Sequence, residues 1–406
     1  MKAPRVYGPI RRLATMAGVA AKNGRKPALE DLSIIDDAAI AVDADGNVRW
    51  IGQARHLPAS LGMARTPVDE LWFPGWVDCH THFLFAGSRA SDFARRAMGM
   101  SYAEVARAGG GILSTVRATR EASEDELLAL GRERLAAFAR RGVAVVEGKT
   151  GYALALDSEL RCLEAYRKLD GHEGVEVLAT FLPAHAVPPE YRGRKSEYVD
   201  DLCARWIGTV AERRLARFAD VFVEDGYFDL DDARRIGVAA KAAGLGLKIH
   251  ADQFHDAGAT ALAVELGATS VDHGDHASTE AIAMLANSET VAVMLPAASL
   301  YAGTPFPPAR KFLDAGAIVA LSTDFNPGTS PTTNLPLVTT LGCTQLKMTV
   351  PEALAAVTFA AAKALGLSAT HGSLEVGKKF VATAFRVPTV DDVPASFGEI
   401  TGRIVR

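Results

Sequence analysis

Two histidines one residue apart, His80 and His82, close a short apolar run and are the sharpest chemical feature of this chain. On an extended segment the side chains at i and i+2 point the same way, so both imidazoles can face one ion. Other apolar runs end in residues of the same kind: Pro183-Ala184-His185, Ile249-His250-Ala251-Asp252-Gln253, Val271-Asp272-His273 and Ser322-Thr323-Asp324-Phe325-Asn326. Five of the ten histidines therefore sit where an apolar run stops, whereas chance placement would scatter them. Imidazole nitrogen suits Zn2+ or iron, and a carboxylate such as Asp324 can complete a site that keeps one position open for water. A lone His-x-His pair is more often two satisfied polar residues at a strand exit. The coincidence with His250, His273 and Asp324 favours metal. His56, His172, His255, His276 and His371 lack this placement and read as ordinary surface or core residues. Cys79 alternates away from the pair and reads as a small buried hydrophobe. Asp78 reads equally as a hydrogen-bond partner of a ligand histidine and as a cap on the strand end.

The elements that must position these groups are legible as a pattern. Short apolar runs occur at Leu71–Val77, Val143–Glu147, Val175–Leu182, Val221–Glu224, Leu247–Ile249, Thr269–Asp272, Thr290–Leu295 and Ile318–Leu321. Amphipathic helical stretches lie between most of them, for example Glu124–Arg140, Ser158–Leu169, Leu230–Ala243 and Ala257–Leu266. Eight runs, mostly too apolar to be half-exposed, predict parallel strands buried on both faces in an α/β (β/α)8 TIM barrel. In such a barrel catalytic groups project from the C-terminal strand ends, where the histidines fall. A doubly wound open sheet is the competing fold, but no Gly-rich dinucleotide fingerprint follows the first strand. Both ends of the chain look different. Asp37–Val42 and Val48–Ile51 flank a turn, and Lys379–Val387 is strand-like. The expected organisation is residues 1–71 and 372–406 forming a small shared β-sandwich domain, with the barrel over 72–371.

The bulk properties exclude other classes. With 406 residues, 49% of them hydrophobic, 23% charged and a formal net charge of −4, nothing points to nucleic acid or an anionic membrane as partner. No run approaches the ~18 apolar residues of a membrane span, and the first residues lack the apolar core of a signal peptide. Cys79, Cys162, Cys203 and Cys343 are far apart and form no CxxC pair, which predicts a reduced cytoplasmic setting.

The segment Pro74-Gly75-Trp76-Val77-Asp78-Cys79-His80-Thr81-His82 resembles the PGxxDxHxH signature of the amidohydrolase superfamily. Narrower segments resemble the imidazolonepropionase family within it. They include Phe85-Ala86-Gly87-Ser88-Arg89, Glu147-Gly148-Lys149-Thr150-Gly151-Tyr152, Thr180-Phe181-Leu182-Pro183-Ala184-His185-Ala186-Val187-Pro188 and Thr323-Asp324-Phe325-Asn326-Pro327-Gly328. The resemblance implies that His80, His82, His250 and Asp324 bind one Zn2+ or Fe3+ per subunit, and that His273 and Asp324 are catalytic. It implies that Arg89, Tyr102, Tyr152, His185, Gln253, Asn326, Gly328 and Thr329 hold a small-molecule substrate, in a cytoplasmic homodimer. The implied reaction opens the cyclic amide of 4-imidazolone-5-propanoate to N-formimidoyl-L-glutamate, a step of L-histidine degradation.

The chain departs from the family pattern at Gln253, where Glu is frequent, at Pro183, where the motif has Gly, and at Thr329, where Ser is common. An amide at residue 253 cannot move protons as an acid or base, so it would position substrate. No lysine ends the fourth run, Val221-Phe222-Val223-Glu224-Asp225, where binuclear relatives carry a metal-bridging carboxylated lysine; one metal is therefore expected. The alternatives are a cytosine- or guanine-type deaminase of the same superfamily, which Gln253 disfavours, and a non-catalytic barrel scaffold, which the full ligand set disfavours.

Overall fold

The computed structural model describes residues 5–62, 67–100 and 102–406, with the side chains of residues 102, 103 and 106 outside that description. The chain begins with β1 (Arg5–Ala14), β2 (Ile34–Val42), β3 (Val48–Gln53) and β4 (Val68–Pro74). It continues through β5 (Trp76–Asp78), β6 (Val143–Lys149), β7 (Glu176–Ala184) and β8 (Phe218–Val223). Then follow β9 (Gly246–Ala251), β10 (Ser270–His273), β11 (Val291–Met294) and β12 (Ile318–Leu321). The last strands are β13 (Ala382–Phe385) and β14 (Gly402–Val405).

Strands β5 to β12 form one eight-stranded sheet in sequential order, every adjacent pair parallel. Its edges meet just beyond the strand ends: Thr81 bridges Phe325, and the His82 amide donates to the Phe325 carbonyl at 2.8 Å. Asp78 ties the same seam by accepting from the Ser322 hydroxyl, the Thr323 amide and the Thr323 hydroxyl. The result is the expected (β/α)8 barrel. Between strands, helices start where the sequence supplies capping boxes, as at Ser123 with Glu126 and Asp229 with Asp232.

The terminal segments form a six-stranded sheet ordered β14-β13-β4-β1-β2-β3. It is antiparallel except where β1 runs parallel to β4. Two local expectations change. The run Leu71–Val77 is not one barrel strand: it divides at Gly75, so β4 pairs with β1 and β13, and only β5 enters the barrel. Gly75 has no room for a side chain, since a Cβ there would meet Val381 at 2.7 Å and Ala144 at 2.9 Å. Strand β1 was not foreseen, because Pro9 and three arginines within Arg5–Ala14 dilute the strand pattern. It bends past them with a register shift between Tyr7 and Ile10.

Candidate active site

The barrel interior is ionic at its centre. Alternation puts Glu147 and Lys149 of β6, Lys248 and His250 of β9, and Ser270 and Asp272 of β10 on the inner face. With Asp220 of β8 they form a network closed to solvent. Lys149 Nζ donates to Asp220 Oδ2 at 2.6 Å, to Asp272 Oδ2 at 3.1 Å and to Glu147 Oε1 at 3.3 Å. Lys248 Nζ donates to Glu147 Oε2 at 2.8 Å and to the Cys79 carbonyl at 2.9 Å. Burial opposes ionisation of both Asp220 and Asp272. His250 and Lys149 outweigh it at Asp220, and Lys248, Lys149 and His80 at Asp272, so both carboxyls are held below their usual range. Burial likewise works against the Lys149 charge, but Asp220, Glu147 and Asp272 keep its ammonium well above the usual lysine range.

The histidines stand on this network. His80 Nδ1 lies 2.7 Å from Asp272 Oδ2, and His250 Nδ1 lies 3.1 Å from Asp220 Oδ1. Their Nε2 atoms therefore face the mouth of the barrel. His80 Nε2, His250 Nε2 and His82 Nδ1 are buried without a hydrogen-bond partner among the described residues. Unsatisfied buried polar atoms are rare and need a reason. Asp324 supplies one: its Oδ1 lies 3.5 Å from His80 Nε2 and 3.8 Å from His82 Nε2. Among the described residues four groups bring potential ligand atoms within 4.8 Å of one another: His80–His82–Asp324 and His80–His250–His273 at the mouth, and His80–Glu147–Asp272 and Asp220–His250–Asp272 in the ionic network below. The donor set is imidazole nitrogen plus carboxylate, buried and carrying orphaned lone pairs, and it fits a cation such as zinc or iron. Burial pushes His80 and His82 well below the usual imidazole range, so both are neutral and able to donate a lone pair. Burial raises the Asp324 carboxyl well above its usual range, and a cation beside it would oppose that shift by favouring the carboxylate.

A cavity of about 820 Å³ opens over this cluster. His82, His250, His273, Asp324, Arg89, Tyr152, His185, Gln253, Asn326, Gly328 and Thr329 all line it. The structure thus gathers the described residues that sequence analysis singled out; the Tyr102 side chain lies outside the described residues. Several are set by an identifiable neighbour. Arg89 is paired through Nε with Asp92, which also accepts from the Gly111 amide at 3.0 Å. Tyr152 sits on a loop whose amides at residues 151, 153 and 154 all donate to the buried Glu159 carboxylate. His185 stacks on His82 with ring centres 5.1 Å apart, and its Nδ1 lies 3.1 Å from the Gly151 carbonyl. Burial, followed by the nearby His250, brings both His185 and His273 down to about 3, so both rings are neutral. Asn326 lines the pocket, but its amide is engaged within its own loop: Oδ1 accepts from the amides of Gly328 and Thr329, each at 2.8 Å. Pro183 leaves His185 in place while its carbonyl accepts from the Tyr198 hydroxyl at 3.0 Å.

Strand ends at the mouth carry backbone strain. Asp252, His273 and Asp324 adopt left-handed conformations with φ of 50°, 78° and 51°. Such non-glycine conformations cost of order 1–3 kcal/mol each and concentrate at functional sites. Asp252 has a structural use, capping the following helix through the amides of Ala257, Ala259 and Thr260. Among the described residues the Asp78 carboxylate accepts from Ser322 and Thr323 across the barrel seam and not from a histidine ring, which favours the strand-end reading. Cys79 is buried as expected, and burial pushes its thiol far up. The ionic network was not foreseen. Its signal was present: stepping back two residues from His250 reaches Lys248, and from Lys149 reaches Glu147.

Comparison with known proteins agrees with this geometry. A model of the amidohydrolase family matches residues 224–401. Among solved structures, a triazine hydrolase variant superposes with a TM-score of 0.74 at 17% identity, over 98% of this chain and 91% of that one. A zinc-bound adenosine deaminase from Xanthomonas campestris superposes with a TM-score of 0.69 at 16% identity, over 98% and 89%. At such identities these share the fold. Closer in sequence are imidazolonepropionases. That of Bdellovibrio bacteriovorus is 44% identical over 91% of this chain and 87% of its own length. That of Symbiobacterium thermophilum is 44% identical over 95% and 92%. Similarity at this level, continuous across both the barrel and the terminal sheet, means that the chain belongs to the imidazolonepropionase family of amidohydrolase-fold enzymes.

Proposed function

We propose that this protein hydrolyses 4-imidazolone-5-propanoate to N-formimidoyl-L-glutamate with one bound Zn2+ or Fe3+. The observation that carries the reading is the set of orphaned imidazole nitrogens of His80, His82 and His250 beside Asp324, beneath a cavity that also holds a buried arginine. His80, His82, His250 and Asp324 would hold the ion. A cation in that position would lower the pKa of a water it bound toward about 7.

The chain's own groups supply the rest. Arg89, fixed by Asp92, directs its guanidinium toward Gly328 at the pocket wall, suited to the propanoate carboxylate. Tyr152, His185 and Gln253 flank the ring and orient its carbonyl carbon toward the water. His273, neutral, donates an N–H to the carbonyl oxygen as it gains charge. Asp324 takes a proton from water as oxygen bonds to the carbonyl carbon, and returns it to the ring nitrogen as the C–N bond breaks. One water is consumed and no ammonia is released. The four separate cysteines fit a reducing, cytoplasmic compartment, and a homodimer accords with the family resemblance.

The test is to incubate metal-analysed protein with 4-imidazolone-5-propanoate and identify the product. Formation of N-formimidoyl-L-glutamate without ammonia is expected. Ammonia release from this or a purine or pyrimidine substrate, with no ring opening, would replace the reading by a deaminase.

A further inference from the structure

The lysine pair inside the barrel is not used by the reaction above, yet its two members are bonded differently. Lys149 Nζ contacts both carboxylates that carry the histidines: Asp220, whose Oδ1 faces His250, and Asp272, whose Oδ2 faces His80. Lys248 Nζ lies against Glu147 and the Cys79 carbonyl, and reaches Asp272 Oδ2 only at 3.7 Å. All five charged side chains are fully buried, with one more carboxylate than ammonium among them. In that setting each carboxylate depends on its neighbours for orientation. Asp220 Oδ2 accepts from Lys149, its Oδ1 accepts from the Val221 amide at 2.8 Å, and His250 Nδ1 lies 3.1 Å from both oxygens; Asp272 splits its own between the Ser270 hydroxyl and the shared corner of Lys149 and His80.

We propose that Lys149 is a positioning residue for the metal centre: one ammonium orients both Asp220 and Asp272 so that each accepts from the Nδ1–H of its histidine, which turns the Nε2 lone pairs of His80 and His250 toward the cation. This rests on the reading that those two histidines hold the ion. Partners that orient a ligand imidazole typically change metal affinity by about 10–100-fold. Lys248 has the same chemistry and burial but does not bridge the two carboxylates, so it serves as an internal control. The distinction is between losing a buried ammonium and losing this particular one.

The experiment compares Lys149→Met and Lys248→Met in the full chain with two readouts, zinc affinity by calorimetry and the ring tautomers of the metal-free protein by long-range nitrogen–proton NMR. The wild-type apoprotein should show His80 and His250 as single Nδ1–H tautomers. Lys149→Met should weaken zinc binding about 10–100-fold and mix the tautomers of both rings. Lys248→Met, although destabilised and missing a cation near Asp272, should keep the His250 tautomer and lose less affinity than Lys149→Met. Equal affinity in Lys149→Met and wild type, or equal tautomer loss in both variants, overturns the assignment while leaving the metal reading intact. A wild-type protein that binds no zinc or iron overturns both. Finding either ring as the Nε2–H tautomer in the wild-type apoprotein also overturns it. That measurement needs no variant and holds even if Lys149→Met does not fold.

Discussion

His273 and Arg89 are the two residues whose roles separate most cleanly by measurement. His273 lies in the second potential ligand group, with His80 and His250, yet it is assigned to the carbonyl oxygen and not to the ion. His273→Asn should lower kcat by about 10²–10³-fold, the range for losing one oxyanion donor, while metal content stays at one per subunit. Loss of the metal would make His273 a ligand instead. Because burial holds its ring neutral to about 3, His273 adds no ionisation limb to kcat between pH 5 and 8. Arg89→Ala removes a charge-assisted contact, worth about 1.5–3 kcal/mol, and should raise KM about 10–150-fold for the acid substrate. An analogue lacking the carboxylate should lose almost nothing. An equal rise for both would take Arg89 out of carboxylate recognition. His273 was legible in the sequence because it ends an apolar run, as the segment with Gln253 does, whereas Arg89 and Thr329 entered through the family resemblance. Asn326 shows the limit of both: sequence places it at the pocket but cannot say that its amide is engaged by the Gly328 and Thr329 backbone.

The strand-end loops are held by buried carboxylates that never reach the substrate. Glu159 gathers three amides beneath Tyr152, as Asp252 does for the helix after β9. Glu159→Ala leaves those amides unsatisfied at about 1–3 kcal/mol for each buried group left unmade. Thermal unfolding should shift down and KM should rise through Tyr152, with metal content unchanged. An unchanged KM would mean that Tyr152 does not touch substrate. The strand sequence of the barrel was readable from apolar runs because parallel strands are buried on both faces. The inward-facing charges were not. The immediate neighbours of Lys149 and Lys248 are apolar or small, so the runs read as core, and only the two-residue spacing of Glu147 with Lys149 and of Lys248 with His250 marks them as facing inward together. Strand β4 was misplaced for a related reason. It joins β5 in one apolar stretch, and only the packing around Gly75 separates the two sheets.

At the scale of the whole molecule, the terminal sheet and the barrel meet along that glycine. The Gly75 amide donates to the Val381 carbonyl at 2.8 Å, and the Trp76 amide to the Thr383 hydroxyl at 3.0 Å, so β13 is stitched to the start of the first barrel strand. Gly75→Ala would force a methyl group between Val381 and Ala144 and should cost about 1–3 kcal/mol of stability, as overpacking does elsewhere. A single unfolding transition at lower denaturant is expected if sheet and barrel unfold together; two separated transitions would show that they are independent. The central claim is that distant parts of this chain converge on one cation and that this cation makes the enzyme. Its most direct test is to strip the protein with a chelator and titrate metal back while following 4-imidazolone-5-propanoate turnover. Activity should be absent at the start, rise linearly and stop rising at one equivalent per subunit. Full turnover by the metal-free protein, or none with one equivalent bound, would contradict it.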